Sequence, residues 1–329
     1  MRRRQPSVLV LGAGSAGNRH ARNLDSAGAK VSVADPCADR TRATSVAERV
    51  PFDSAHLDGF DGVVIATPPS AHLSQVLAAL ETGAKVFVEN PVSTSVAGTE
   101  SLLLADDRVM VDHHLRFHSP VVRLLDMARS GRAGRITAVR SWYGSYLPDR
   151  RPTIDYRATS SARAALGGGA LLDAIHDLDL VTWLLGTDLE IVAAQAVRLG
   201  DLDVDVEDTV AALLRQPAGA LATLSYDYLS RRYRRGLEIV GTDATLRLDW
   251  SREIIEVEQA GDTEVEPAID SLASAHERQT ACFVAWIRGD EQPPVPLAES
   301  LAALRLADQL REVAAGPQRS SYVGAPGPR

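Results

Sequence analysis

Lysine is nearly absent from this chain: of 35 basic residues only Lys30 and Lys85 are lysines, so beyond residue 85 no lysine is available for chemistry. Cysteine is almost as scarce. Cys37 and Cys282 make no disulfide framework and match no metal-ligand spacing, which points to a reducing, cytoplasmic setting. No uninterrupted apolar run approaches the roughly 18 residues of a membrane span. Met1-Arg2-Arg3-Arg4 is basic, but Gln5, Pro6 and a glycine-punctuated strand follow it, not the apolar core of a signal peptide. Positive charge is in deficit as well. A formal net charge of −8 and a pI of about 5.5 remove the electrostatic basis of non-specific nucleic-acid binding. What is present is ordinary for a globular protein: 329 residues, 45% hydrophobic and 24% charged, enough for about two domains with real cores.

Residues 7 to about 113 alternate apolar strands with amphipathic helices. Strands are expected at 7–11, 30–34, 62–66, 85–88 and 109–111, and helices at 16–27, after residue 34 up to Pro51, at 71–81 and around 95–104. Continuous apolar strands separated by helices make a doubly wound parallel sheet covered on both faces. The pattern then changes. A helix near 120–129, a half-exposed strand at 136–142, an apolar helix at 170–185, alternating strands from 191 to 250 and closing helices at 275–288 and 298–314 indicate an α+β unit with a largely antiparallel open sheet. The expected units are 1–115 and 116–315, with 316–329 as a mobile tail.

Gly12-Ala13-Gly14-Ser15-Ala16-Gly17 is a G-x-G-x-x-G that follows the first strand and opens the first helix. Gly12 permits the tight turn, Gly14 lets backbone approach a pyrophosphate, and Gly17 allows close helix–sheet contact, while the helix N-terminus supplies donors and partial positive charge. Asp35 ends the second strand, placed to accept hydrogen bonds from ribose hydroxyls and to repel a 2′-phosphate. No arginine follows it directly, so NAD(H) is expected rather than NADP(H). At the third strand's carboxyl end, Thr67, Pro68 and His72 are candidate walls of the cofactor crevice, with an ordinary strand-to-helix turn as the alternative. Arg19 and His20 read equally well as a solvated helix face.

The stretches 12–24, 66–72 and 167–183, the Val88-Glu89-Asn90-Pro91 turn and Leu115-Arg116-Phe117-His118 together resemble the glucose–fructose oxidoreductase, inositol dehydrogenase and rhizopine-catabolism (Gfo/Idh/MocA) family. That resemblance implies a Rossmann domain and an open-sheet domain, with a sugar-like substrate held near the nicotinamide and a homodimer or homotetramer paired through the second sheet. It also implies that an Asp and His on the helix after the glycine triplet are catalytic. Here they are Asp173 and His176 in Leu172-Asp173-Ala174-Ile175-His176. On a continuous helix, i,i+3 spacing sets them on one face about 5–6 Å apart at Cβ. A histidine with an ordinary pKa of about 6.5 can exchange the hydroxyl proton. His176 is the expected general acid/base and Asp173 its orienter and a hydroxyl ligand, while Asp177 and Asp179 are expected to be structural.

The turn departs from the family at Asn90. Relatives carry Glu-Lys-Pro, whereas Asn90 keeps the place between Glu89 and Pro91 without the charge, and an amide cannot relay a proton. Catalysis by His176 alone, an arginine clamp such as Arg157, or loss of redox turnover all stay open. Glu89 and Asn90 are still expected to face the cofactor, and Arg116, Tyr146, Tyr156 and Arg157 are candidate substrate contacts. Asp112, His113, His114 and His118 could be read as a metal cluster, but adjacent strand histidines point to opposite faces and no metal is expected. The leading function is NAD(H)-dependent hydride transfer on a secondary alcohol or ketone of a sugar, cyclitol or sugar conjugate. A redox-neutral lyase, epimerase or dehydratase that retains NAD, and a non-catalytic ligand sensor, are the alternatives.

Overall fold

In the first sheet, short apolar strands of three to five residues are buried along nearly all their length. β1 (Ser7–Leu11), β2 (Lys30–Ala34), β4 (Gly62–Ile65), β5 (Lys85–Val88) and β6 (Val109–Val111) lie parallel, with β3 (Glu48–Arg49) at one edge, in the order β3-β2-β1-β4-β5-β6. The computed structural model describes residues 4–316 apart from residues 43, 45 and 53–56. The tail expected to be mobile lies, from residue 317, outside the described residues. α1 (Ser15–Ser26) and α3 (Pro69–Glu81) cover the sheet as expected. The helix expected to run to Pro51 does not. α2 covers only Ala38–Arg42, and the chain then adds β3, pairing Glu48 with Ser32 and closing an otherwise bare edge of β2. The helix expected around 95–104 is a 3-10 segment, Glu100–Arg108, kinked at Ala105.

The second unit begins with α4 (Ser119–Arg129) and builds an eight-stranded sheet. Its strands are β7 (Ile136–Gly144), β8 (Glu190–Val197), β9 (Thr209–Arg215), β10 (Leu221–Asp227), β11 (Arg234–Gly241), β12 (Thr245–Asp249), β13 (Ile254–Gln259) and β14 (Asp262–Pro267). Every neighbouring pair is antiparallel except β10 beside β7. β13 and β14 were not expected as strands. Ala260 and Gly261 join them with both φ angles positive, the geometry of a two-residue hairpin turn. In β10, Ala222, Leu224 and Tyr226 are buried while Leu221, Thr223 and Ser225 are exposed, so one face of the sheet is covered and the other is bare.

α5 (Ala170–Asp173) and α6 (Ile175–Leu185) lie over the covered face beside α8 (Leu297–Ala315). α7 (Leu272–Arg288) returns to the first unit: Phe283, Val284 and Trp286 join Val8, Leu24, Val64 and Phe87 in one core. Gly62 leaves room for this, since a Cβ there would lie 2.6 Å from Ile287 Cδ1. An apolar face formed late in the chain thus covers the first sheet.

Candidate active site

The three glycines of the phosphate turn do different work. A Cβ on Gly12, whose φ is +91°, would lie 2.6 Å from the Ala66 carbonyl oxygen, and one on Gly17 would lie 1.8 Å from that of Gly12. Both are required by the fold. A Cβ on Gly14 would meet nothing within 4 Å, and Gly14, Ser15 and Ala16 border a cavity of about 710 Å³. An open backbone cradle at the N-terminus of α1 fits the pyrophosphate of a dinucleotide. Asp35 accepts 2.8 Å hydrogen bonds from the Ala13 and Cys37 backbone N–H groups, which fixes its carboxylate behind the turn. Arg40, on α2, comes within 4.0 Å of that carboxylate and lines the cavity. No arginine follows Asp35 directly, but α2 brings Arg40 round from five residues further on.

The cavity continues past Thr67 and Pro68 to Glu89 and Asn90. His72 borders it, but both ring nitrogens are engaged with backbone, at 2.7 Å from the Thr67 carbonyl and 2.8 Å from that of Pro91. Its role is to tie two walls together. Glu89 receives Arg19 Nη2 at 2.6 Å and His20 Nε2 at 2.8 Å, so these two α1 residues are not a solvated face but the support of the Glu89-Asn90-Pro91 turn. The Asn90 amide nitrogen is buried in the wall without a hydrogen-bond partner.

The apolar helix expected across 170–185 breaks at Ala174, where φ and ψ of −92° and 16° end α5 before α6 begins. Asp173 and His176 therefore lie on different helices, and the i,i+3 argument does not place them; both nonetheless line the cavity. Asp173 accepts from Arg150 Nη1 at 2.6 Å. The Arg150 guanidinium lies over the rings of Tyr143 and Tyr228, 5.2 and 4.7 Å from their centroids. Burial pushes the Tyr143 hydroxyl up to about 12, so it stays a hydrogen-bond donor at neutral pH. His176 meets the His114 ring edge-on at 4.2 Å between centroids, and its Nδ1 is buried without a hydrogen-bond partner. Burial, then the neighbouring His114, hold its pKa well below the ordinary histidine value, so His176 is neutral at pH 7.

Protein fills the space beside the glycine triplet Gly167-Gly168-Gly169. Cβ atoms on Gly167, Gly168 and Gly169 would lie 2.6 Å from Thr94 Cγ2, 2.3 Å from the Ser160 carbonyl and 2.3 Å from Glu207 Oε1. Of the four expected substrate contacts only Tyr156 borders the cavity, and its hydroxyl accepts from the Asp203 N–H at 3.1 Å. Arg116 is bound to Asp179 at 2.7 and 2.9 Å and to Glu299 at 2.7 Å, away from the cavity. Arg157 is exposed and paired with Asp155, and Tyr146 lies under Arg231. Arg150, Arg151 and Tyr143 take the places at the wall. Tyr143 lies on β7 and Arg150 and Arg151 follow that strand, and nothing local in the sequence distinguishes Arg150 from Arg157.

The histidines after β6 divide. His113 faces Asp179 at 3.2 Å and His118 the Asp270 carbonyl at 3.2 Å. Only His114 stays with Asp112, its Nδ1 3.0 Å from Oδ1, and His276 of α7 stacks on it at 4.1 Å. Arg19 lies 3.9 Å from the other oxygen of Asp112. Asp177, beside His176, is bound by Arg235 at 2.8 and 2.9 Å, a structural pair.

Residues 7–111 match the oxidoreductase family with an NAD-binding Rossmann fold, and residues 121–247 match the GFO/IDH/MocA C-terminal domain. The chain is 25% identical over 327 residues to a myo-inositol 2-dehydrogenase of Thermotoga maritima, spanning 91% of this chain and 93% of the relative. It is 26% identical over 244 residues to a 1,5-anhydro-D-fructose reductase of Ensifer adhaerens, 71% of each protein. The solved structure of the 3-ketoreductase KijD10 of Actinomadura kijaniata, in complex with NADP and TDP-benzene, is similar with a TM-score of 0.80 at 25% identity, over 94% of this chain and 98% of that one. With an open glycine cradle at one end of the cavity and an aspartate and a neutral histidine at the other, this chain belongs to the Gfo/Idh/MocA family of NAD(P)-dependent oxidoreductases.

Proposed function

We propose that the protein transfers hydride between NAD(H) and a secondary alcohol or ketone of a sugar, cyclitol or sugar conjugate. The observation that carries this reading is a single cavity bordered by Gly14 at the α1 N-terminus and by Asp173 and His176 at its far end. Bound nicotinamide supplies the hydride acceptor or donor. His176, neutral at pH 7 and with Nδ1 sealed in protein, takes the hydroxyl proton at Nε2 as the alcohol becomes a ketone, and returns it in reduction. Asp173, fixed by Arg150, accepts a hydrogen bond from a neighbouring substrate hydroxyl. The stacked Tyr143, Arg150 and Tyr228 keep this wall rigid.

Asp35 supports NAD(H) over NADP(H), since its carboxylate stands where a 2′-phosphate would be repelled. Arg40 lessens that repulsion, so the preference is expected to be modest, about tenfold in Kd. Asp35→Ala should shift binding toward NADPH, and the added Arg40→Ala should cancel the gain; equal NADH and NADPH affinity in the parent would refute the assignment. The bare face of the second sheet, with Leu221 exposed, supports self-association as a dimer or tetramer. Among the described residues no helix is long and apolar enough to cross a membrane, and both cysteines are free, which supports a cytoplasmic setting.

A redox-neutral reading is favoured by one observation: Asn90 brings no charge to the wall. Mass spectrometry of the purified protein, followed by nicotinamide absorbance with a panel of polyols and keto-sugars, separates the two. Steady absorbance change supports the dehydrogenase reading. Tightly retained NAD with substrate conversion but no net absorbance change supports the lyase or epimerase reading. Absence of both nicotinamide binding and conversion refutes both.

A further inference from the structure

Behind His176, away from the cavity, lies a second imidazole–carboxylate pair. His114 directs both its backbone N–H, at 2.9 Å, and its ring Nδ1, at 3.0 Å, to one oxygen of Asp112. The carboxylate is fully buried and His114 nearly so. The His114 ring contacts that of His176 edge-on at 4.2 Å and is stacked from behind by His276. Two imidazoles this close cannot both be protonated without strong like-charge repulsion in a buried setting.

We propose that His114 and His176 form a two-imidazole unit that holds a single proton, which Asp112 fixes on His114 in the free enzyme. His114 is then a positioning residue: it acts through His176 and keeps it in the form that accepts a proton. The other groups facing the pair do not disturb the assignment. Arg235 on β11 and Asp177 on α6 neutralise each other. His113 and His118 face Asp179 and the Asp270 carbonyl. Burial drives His276 down to about 2, so it stays neutral, and Arg19 of α1 is shared between Glu89 and Asp112. In alcohol oxidation the O–H bond breaks, its proton goes to His176, its electron pair forms the carbonyl, and the hydride goes to nicotinamide. His176 is then acidic beside charged His114, so the unit sheds one proton and regains its resting state. This assignment rests on His176 being the acid/base group, but the unit's titration can be measured without substrate.

The test is NMR titration of ¹⁵N-histidine-labelled protein from pH 8 to pH 5. In the parent the pair takes up one proton, on His114. Its removal in His114→Asn should raise the His176 midpoint by about one pH unit or more, whereas His176→Asn should leave that of His114 nearly where it is, because His176 is neutral while His114 takes up its proton. In Asp112→Asn the pair's proton should be lost at lower pH. His114→Gln serves if the Asn variant fails to fold, and the parent titration decides by itself if neither folds. Independent titration of the two rings, two protons on the pair at pH 6, or stoichiometric zinc bound to Asp112, His114 and His276 would overturn the proposal. Once a substrate is found, the acid limb of kcat should move to higher pH in His114→Asn while KM changes little. Failure of the substrate panel would count against the proposed reaction and leave the titration result standing.

Discussion

The pair Asp177–Arg235 offers the sharpest energetic test of how α6 is held. The contact is bidentate at 2.8 and 2.9 Å, and the two side chains are only 2% and 7% exposed. Arg235 also lies 5.5 and 5.4 Å from the ring centroids of Tyr143 and Trp250. Burial pushes the Asp177 carboxyl above its ordinary range even against the Arg235 charge, so their attraction does not fully offset the desolvation of the carboxylate. Two opposite consequences follow. Arg235→Met alone strands a buried carboxylate and should destabilise the protein by about 3–5 kcal/mol. Replacing both, Asp177→Leu with Arg235→Met, removes the charges together and should return stability to within about 1 kcal/mol of the parent or above it. Urea unfolding followed by far-UV circular dichroism gives the comparison directly, provided the slope m is unchanged. The single variant's Tm should fall by roughly 10 °C. A single variant within about 1 kcal/mol of the parent, or a double variant as unstable as the single, would refute the reasoning.

Gly14→Val should leave the melting temperature nearly unchanged, because its Cβ meets nothing within 4 Å, while NADH binding measured by fluorescence weakens at least about tenfold. Gly17→Ala should do the reverse first and fail in stability, its Cβ lying 1.8 Å from a carbonyl oxygen. His276 titrates at an ordinary value of about 6.5 when unfolded but only at about 2 when folded. A depressed folded value means that its contribution is complete above pH 6.5 and is lost as pH falls from there, about 2 kcal/mol by pH 5. His276→Gln should therefore be less sensitive to acid than the parent in urea midpoints measured between pH 7 and pH 5.

The features legible in the sequence are those set by local periodicity or by a short motif. Branched apolar runs mark β1, β2, β4 and β5 because a parallel strand is buried on both faces, and the glycine spacing marks the phosphate turn because the backbone there must pass within contact distance of Ala66. Features set by distant partners were not legible. Arg116 and Arg150 are alike as residues, but Glu299, 183 positions away, and Asp179 capture the first, while Asp173 and two tyrosines hold the second at the cavity wall. His276 reaches the site only because α7 folds back onto the first sheet. The break at Ala174 has no local signal either: alanine favours helix, yet Asp177 N–H bonds to the Ala174 carbonyl in a tighter turn.

The arrangement also accounts for a cavity without lysine. Its arginines are Arg40, which stands by Asp35 at the nucleotide end, and Arg150 and Arg151 at the substrate end. Arg150 is matched there by Asp173, a pair of donor and acceptor. Such a pair suits adjacent hydroxyls of a polyol, which need a partner for each proton and lone pair, better than it suits an isolated anion. The charges that bear on His176 come instead from within the protein, from His114, Asp112 and Arg235. A lysine reaching across the cavity would change its electrostatics with every ligand that enters. Charges buried behind the histidine act alike whether the cavity is full or empty.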